Sequence, residues 1–169
     1  MNKTKMIVGI AVIAMGVSAN AATQKFTEEE LAYMPATAQV ELFKAGVITP
    51  TDVLEAQIAR VQKYNGACNV ERRDLKDELD TFNAGKVNAL TFECFEEARR
   101  EAKAATERYR NGTARRLEGV TVGMKDDFEV RGWTHDSASF VVDAIGRNLK
   151  AEADDDVVAK LRAAGAIFP

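Results

Sequence analysis

Apolar residues recur at spacings of three and four in several segments, which is the period of a helix with one buried face. Leu54, Ile58 and Val61 fall on one face of the clearest segment. Thr49 can cap this helix, and Pro50 suits its first position. Because such a helix carries a single apolar stripe, it must pack on something larger.

The same kind of pattern predicts four further helices. One begins at Thr27, which has the capping-box spacing with Glu30. The others are expected over residues 36–44, over about 92–110, and from 155 or 156 to 165. The charge-rich stretch 67–90 is expected to be a solvated excursion without a site.

The period changes in residues 119–124, where large apolar side chains alternate with small ones, and this alternation predicts a β-strand. The strand runs directly into Lys125, Asp126 and a turn-rich stretch. Residues 166–168, after the last helix, have the apolar character of a second buried strand. Strands between one-sided helices indicate an α/β fold.

Residues 1–21 differ in composition from the rest of the chain. Lys3 and Lys5 precede an uncharged run, and Ala19 and Ala21 stand in the A-x-A arrangement that a signal peptidase accepts. The alternative is a membrane-anchored N-terminus or a buried first helix, but the apolar run is shorter than the about 20 residues of a membrane span. We expect cleavage near Ala21 and a periplasmic or secreted mature chain without a stable membrane anchor.

Composition narrows the function classes. With 23 Lys and Arg against 26 Asp and Glu, the net charge is −3, and the chain lacks the basic excess of a dedicated nucleic-acid binder. One His and two Cys leave little material for a zinc site, so we predict no metal. In an exported chain Cys68 and Cys94 could form a disulfide, or they could be two unrelated small apolar side chains.

Residues 117–126 resemble the L-x-G-[IV]-P-x-x-[VI]-K-D segment of the amidase signature family. The next block of that family is matched by Asp155, Val158, Leu161, Ala164, Gly165 and Ala166. Residues 42–49 look like its helical lead-in, and residues 87–89 look like its N-A element. The order and spacing of these blocks make the resemblance specific over about residues 36–168.

The resemblance implies a fold class and a division of the chain. The expected fold is α/β, the N-terminal part of the amidase-signature mixed-sheet fold, with a helical lead-in and an incomplete sheet. We divide the chain into a signal peptide over 1–21, the lead-in over 22–66, the charged excursion over 67–90 and the start of the core over 91–169.

The resemblance also implies a chemistry. Family members hydrolyse carboxylic amides with a Lys, a bridging Ser and a Ser nucleophile, on a small-molecule amide and without a cofactor. Lys125 occupies the lysine position, where it would be the general base. A free lysine has a pKa of about 10.4, and burial would lower it towards ~7–8, where the amine can accept a proton. The alternative from the residues alone is a strand-end lysine paired with Asp126 or Asp127.

The two serines of the family lie downstream of this block, beyond Pro169. The serines in this sequence are Ser18, Ser137 and Ser139, of which Ser139 matches the end of the family's G-x-P-T-T-x-G-S loop. We therefore expect an N-terminal fragment of an amidase that hydrolyses nothing by itself. The alternative function is a non-enzymatic binding module that pairs with another chain, such as a C-terminal half or a second copy; an unrelated α/β binding protein is a weaker alternative.

The loop before Ser139 offers its own candidates. His135 and Asp136 replace the usual threonines of the family. A triad of His135, Asp136 and Ser137 is disfavoured, because three consecutive side chains do not easily converge on one point. A metal site of His135, Asp136 and Asp127 matches no recognised spacing. We expect an ordinary solvated loop.

Overall fold

The structure is a computed structural model that describes residues 25–65, 86–87, 89–90, 92–133 and 150–169. Within these residues the chain forms five helices. They are α1 (Glu28–Ala32), α2 (Ala36–Lys44), α3 (Pro50–Tyr64), α4 (Phe95–Arg110) and α5 (Asp156–Ala163). The predicted export signal and most of the charged excursion lie outside the described residues.

Local side-chain chemistry sets where the helices begin. Thr27 and Glu30 form the predicted capping box, and Thr49 forms a second one with Asp52, so both starts are confirmed. The prediction for α4 was three residues too long, because that helix begins at Phe95. A side-chain oxygen of Glu93 accepts the Phe95 N–H at 2.7 Å and so satisfies a donor of the first turn.

The helices share apolar faces, with α3 at the centre. Helix α3 packs against both α1 and α4. The face that α4 contributes is lined by alanines, Ala98, Ala102 and Ala105, all fully buried. Small side chains at these positions let the two helix axes approach closely. A second cluster joins α2 to the start of α3 through Leu42, Phe43, Ile48 and Val53.

The two segments predicted as strands lie side by side, but they pair over a single residue. Thr121 and Ile167 form a parallel bridge. The Ile167 N–H donates to Val120 O at 2.9 Å, and the Val122 N–H donates to Ile167 O at 2.8 Å. In the described part of the chain this pairing does not extend into strands of regular length, so the mixed sheet is not confirmed.

The bridge segments are covered on both faces. Ile167 packs on Leu54 and Ile58 of α3 and on the alanine face of α4. Its neighbours Ala166 and Phe168 pack on the opposite side with Val130 and Val158. This alternation is the side-chain pattern of a buried strand. Among the described residues, no helix is long and apolar enough to cross a membrane.

Candidate active-site segment

The segment that carries Lys125 starts at a tight contact with α3. Gly119 has φ 77°, in the left-handed region that favours glycine. A Cβ at this position would lie 2.5 Å from Cγ of Pro50, the first residue of α3. The motif glycine is therefore required twice, by its backbone angle and by the close approach of the Pro50 ring.

The glycine of the second motif block makes the matching contact from α5. Gly165 has φ 100°, and a Cβ there would lie 2.8 Å from Cα of Glu118. The Leu117 N–H donates to Ala164 O at 2.7 Å, and the Gly119 N–H donates to Gly165 O at 3.0 Å. The two motif blocks thus meet directly through their backbones.

Between the two glycines lies a buried carboxylate. The side chain of Glu118 is 0% exposed. One oxygen, Oε1, accepts from Nη2 of Arg108 at 2.8 Å and from Nη2 of Arg115 at 3.0 Å. The other, Oε2, accepts from Nε of Arg115 at 2.6 Å and from its backbone N–H at 3.2 Å. Both oxygens are therefore satisfied by charged donors, as a buried carboxylate requires.

The titration of this cluster follows from its contacts. Burial would raise the pKa of Glu118, but the hydrogen bonds from Arg115 and Arg108 outweigh it and lower the pKa to about 2. Burial, together with the Glu118 and Glu41 carboxylates, raises the pKa of Tyr109 to about 12. The Tyr109 hydroxyl therefore stays protonated, and it donates to the backbone O of Glu118 at 3.0 Å.

Lys125, at the other end of the segment, has the opposite surroundings. Its side chain is 78% exposed, and Nζ donates to Oδ2 of Asp127 at 2.9 Å. The hydrogen bond to Asp127 raises the pKa of Lys125 above its ordinary value. The expectation of a pKa lowered by burial is wrong for this structure, because the described residues leave the amine in solvent beside a carboxylate. The pairing with Asp127 matches the alternative drawn from the residues alone.

The remaining predicted residues do not gather around Lys125. Cys68, His135, Asp136, Ser137 and Ser139 lie outside the described residues, as does Ser18 of the predicted signal. Cys94 has a free thiol, and its pairing with Cys68 stays a prediction. Across the ranges that the structure describes, no group of His, Cys, Asp and Glu side chains is arranged to hold a metal ion.

Cys94 lies instead at a small cleft of about 80 Å³ between α4 and the residues before and after α5. Its walls are formed by Cys94, Glu97, Glu101, Arg131, Trp133, Arg162 and Phe168. Burial, with the Glu97 carboxylate nearby, raises the pKa of the Cys94 thiol. A thiol with a raised pKa is a poor nucleophile at neutral pH, so the cleft does not take the place of the family's serines.

Comparison with known proteins identifies the family. The model of the amidase family matches residues 75–169, which include Lys125 and both motif blocks. The putative amidase AmiB2 of Mycobacterium tuberculosis (strain ATCC 25618 / H37Rv) is 31% identical over 141 residues, 82% of this chain and 25% of that protein. The glutamyl-tRNA(Gln) amidotransferase of Brucella abortus (strain S19) has a component chain that is 30% identical over 125 residues, 74% of this chain and 21% of that one. The chain belongs to the amidase family.

Solved structures agree with this assignment. A bacterial aryl acylamidase of the amidase signature family superposes with a TM-score of 0.59 at 23% identity, over 82% of this chain and 24% of that chain. An inhibitor-bound vestigial protein complex, which reveals the evolutionary origins of an s-triazine catabolic enzyme, contains a chain that superposes with a TM-score of 0.60 at 28% identity, over 80% of this chain and 25% of that one. The chain spans about a quarter of the length of the curated relatives that it matches first.

Sequence reasoning overlooked Glu118, which occupied the unspecified position of the L-x-G motif. Its spacing to Arg115 is visible in the sequence, but exposed pairs at the same spacing, such as Glu107 with Arg110, look no different there. The signal that could have found it is its place between an apolar residue and a motif glycine. A charged residue entering a buried strand requires a charged partner.

Proposed function

We propose that this chain provides the lysine-bearing N-terminal part of an amidase-signature hydrolase, which cleaves the C–N bond of a small carboxylic amide. Lys125 would be the base that activates a serine supplied by further polypeptide. The observation that carries this proposal is the direct contact of the two motif blocks. Their glycines lie against Pro50 and Glu118 and align the Lys125 segment parallel to residues 165–167.

The surroundings of Lys125 support a further part of the proposal, that the 169 residues are inactive alone. A lysine can act as a general base at neutral pH only when its pKa falls by several units, which requires burial or a nearby cation. Here the amine is exposed and held in its charged form by Asp127. Catalysis therefore requires additional chain that covers Lys125, separates it from Asp127 and brings the serines.

The test begins with the gene sequence beyond the codon for Pro169, followed by expression of the whole reading frame. We expect the whole product to hydrolyse simple aliphatic or aryl amides. Lys125→Ala should reduce kcat/KM by at least about 10³-fold, as loss of a base in a catalytic triad does. The matched control is Lys160→Ala, which removes an exposed lysine of α5. Full activity of the Lys125→Ala product would contradict the proposal.

A second candidate function is a non-catalytic chain that pairs with another polypeptide. The observation in its favour is the short parallel bridge, which leaves much of a sheet to be completed by other strands. One of the similar solved chains also comes from a protein complex. Light scattering on the purified 169 residues, alone and mixed with a polypeptide from the remainder of the reading frame, separates the candidates. A stable complex without amidase activity would favour pairing.

We also propose export of the chain, with cleavage near Ala21. The support is the basic start, the apolar run and the A-x-A arrangement of residues 1–21. Expression in a bacterium, fractionation and N-terminal sequencing of the mature product test this proposal. A product that retains Met1 in the cytoplasmic fraction would contradict it. Mass spectrometry of the exported chain, with and without reduction, tests the Cys68–Cys94 disulfide.

A further inference from the structure

Glu118 is the point at which several distant parts of the chain meet. Its carboxylate joins Arg108 of α4 to Arg115 of the turn that follows α4. Its backbone O accepts from the Tyr109 hydroxyl, and its Cα lies against Gly165. Arg115 in turn donates from Nη1 to the backbone O of Arg162, near the end of α5, at 3.2 Å. The residue directly before the Lys125 segment is therefore held to both α4 and α5.

We propose that Glu118 is a positioning residue that sets the register of the Lys125 segment against residues 165–167. The inference rests on the proposed function, since it gives Glu118 a role only because Lys125 lies at the end of that segment. Glu118 does not contact the amine. It would act through the backbone, from Gly119 along the segment, over roughly 20 Å of extended chain.

The chemistry of the contact favours a role in register. A buried ion pair adds little net stability compared with well-packed apolar side chains, since desolvation offsets most of the attraction. It does distinguish strongly between arrangements, because one carboxylate must reach two guanidinium groups and a backbone N–H together. A shift of the segment by one residue would leave Arg108 and Arg115 without their buried partner.

Register matters at the far end of the segment for a geometric reason. Successive side chains of an extended segment point to opposite faces, so a slip by one residue moves each side chain to the other face. Thr121 now faces α3, where its Oγ1 donates to Oε1 of Gln57 at 2.7 Å. A one-residue slip would reverse this face and, with it, the direction of Lys125. The single bridge at Thr121 and Ile167 is a weak guard against such a slip.

The experiment uses NMR on the 169-residue chain, where no activity is needed. Glu118→Gln keeps the shape of the side chain and removes its charge. We expect hydrogen exchange of the Gly119, Val122 and Ile167 amides to accelerate about 10- to 100-fold, in line with the loss of charged hydrogen bonds. Amides of α3 should keep their rates. The nuclear Overhauser contacts between Thr121 and Ile167 should weaken or move to a neighbouring residue.

The control variant is Glu107→Gln, which removes an exposed carboxylate of α4 that pairs with Arg110 at 2.6 Å. It should change neither the exchange rates nor the contacts. If Glu118→Gln fails to fold, Arg115→Gln provides the weaker test, since Arg115 is half-exposed and leaves Arg108 on the carboxylate. Local acceleration at the bridge in this variant supports the inference.

Two results would overturn the inference: equal acceleration of the bridge and α3 amides, which marks a merely stabilising residue, or an unchanged bridge. Neither result bears on the amidase proposal, which depends on Lys125→Ala in the whole reading frame. Conversely, full activity of Lys125→Ala would remove the amidase proposal and leave the exchange pattern as measured. The two failures are therefore distinguishable.

Discussion

Glu118 and Lys125 are charged residues at the two ends of one short segment, and their surroundings are opposite. Glu118 is closed off from solvent and held by two arginines. Lys125 has a side chain that is 78% exposed and one nearby carboxylate as its partner. The start of the segment is thus a completed piece of tertiary structure, whereas its end has the electrostatics of an ordinary surface lysine.

This difference separates the structural part of the motif from its chemical part. The conditions that hold the segment in place, two glycines at close contacts and a paired buried carboxylate, are all met within the described residues. The condition for base catalysis, an amine that gives up its proton near neutral pH, is not met there. A chain of this family can therefore fold its lysine segment before it has an active site.

The largest expected effect is on stability, and it contrasts the two ends directly. Glu118→Ala should lower the free energy of unfolding by about 3–5 kcal/mol, because Arg108 and Arg115 then lose their buried partner. Lys125→Ala should leave it unchanged within error, since its ion pair is exposed. Urea unfolding followed by the fluorescence of Trp133, the one tryptophan of the chain, measures both. Equal effects would remove the contrast.

A second variant tests how tightly the start of the segment is held. Gly119→Ala must adopt a φ of 77° and place a Cβ within 2.5 Å of the Pro50 ring, so α3 would have to shift. Gly112→Ala meets the same backbone strain at φ 67° but has open space around its Cβ, so it should cost only about 1–2 kcal/mol. Thermal unfolding of the two variants compares them. A smaller loss for Gly119→Ala would show that the Pro50 contact is loose.

The pH dependence of stability gives a third comparison. The pKa of Glu118 is about 2 in the folded chain and 4.5 as the ordinary value, so the unfolded chain binds more protons between these limits. Stability from this group is present above pH ~4.5 and is lost as the pH falls towards 2. Unfolding free energies of wild type and Glu118→Gln across this range should differ in slope. Parallel curves would contradict the assignment.

The smallest expected effect concerns the exposed end. Asp127→Asn should lower the pKa of Lys125 towards its ordinary value, because the hydrogen bond to the Asp127 carboxylate is the main cause of the upward shift. An NMR titration of the Lys125 side chain measures the change directly. Glu129→Gln, which removes another carboxylate from the stretch after the lysine, serves as the control. An unmoved pKa would mean that Asp127 does not hold the lysine in solution.

Local patterns were enough for most of the helices and for the motif. The capping residues Thr27 and Thr49, the span of α2 and the facing of the 119–122 and 165–167 segments were all predicted from short stretches. The start of α4 was misplaced by the apolar residues before it, where Glu93 caps the helix later than the pattern indicates. Such boundaries depend on single hydrogen bonds that periodicity does not register.

The sequence by itself determined the helix caps, the glycines that a close contact requires, and the position of Lys125 in a family motif. These follow from backbone angles and from residues a few positions apart. Only the tertiary structure decided which charges are buried and which are exposed. Glu118 meets Arg108 and Gly165 only after α4 and α5 have folded back onto it, and Lys125 keeps its proton because only Asp127 is near it among the described residues. The free energy of a charge depends on groups within several ångströms in space, whatever their distance along the chain.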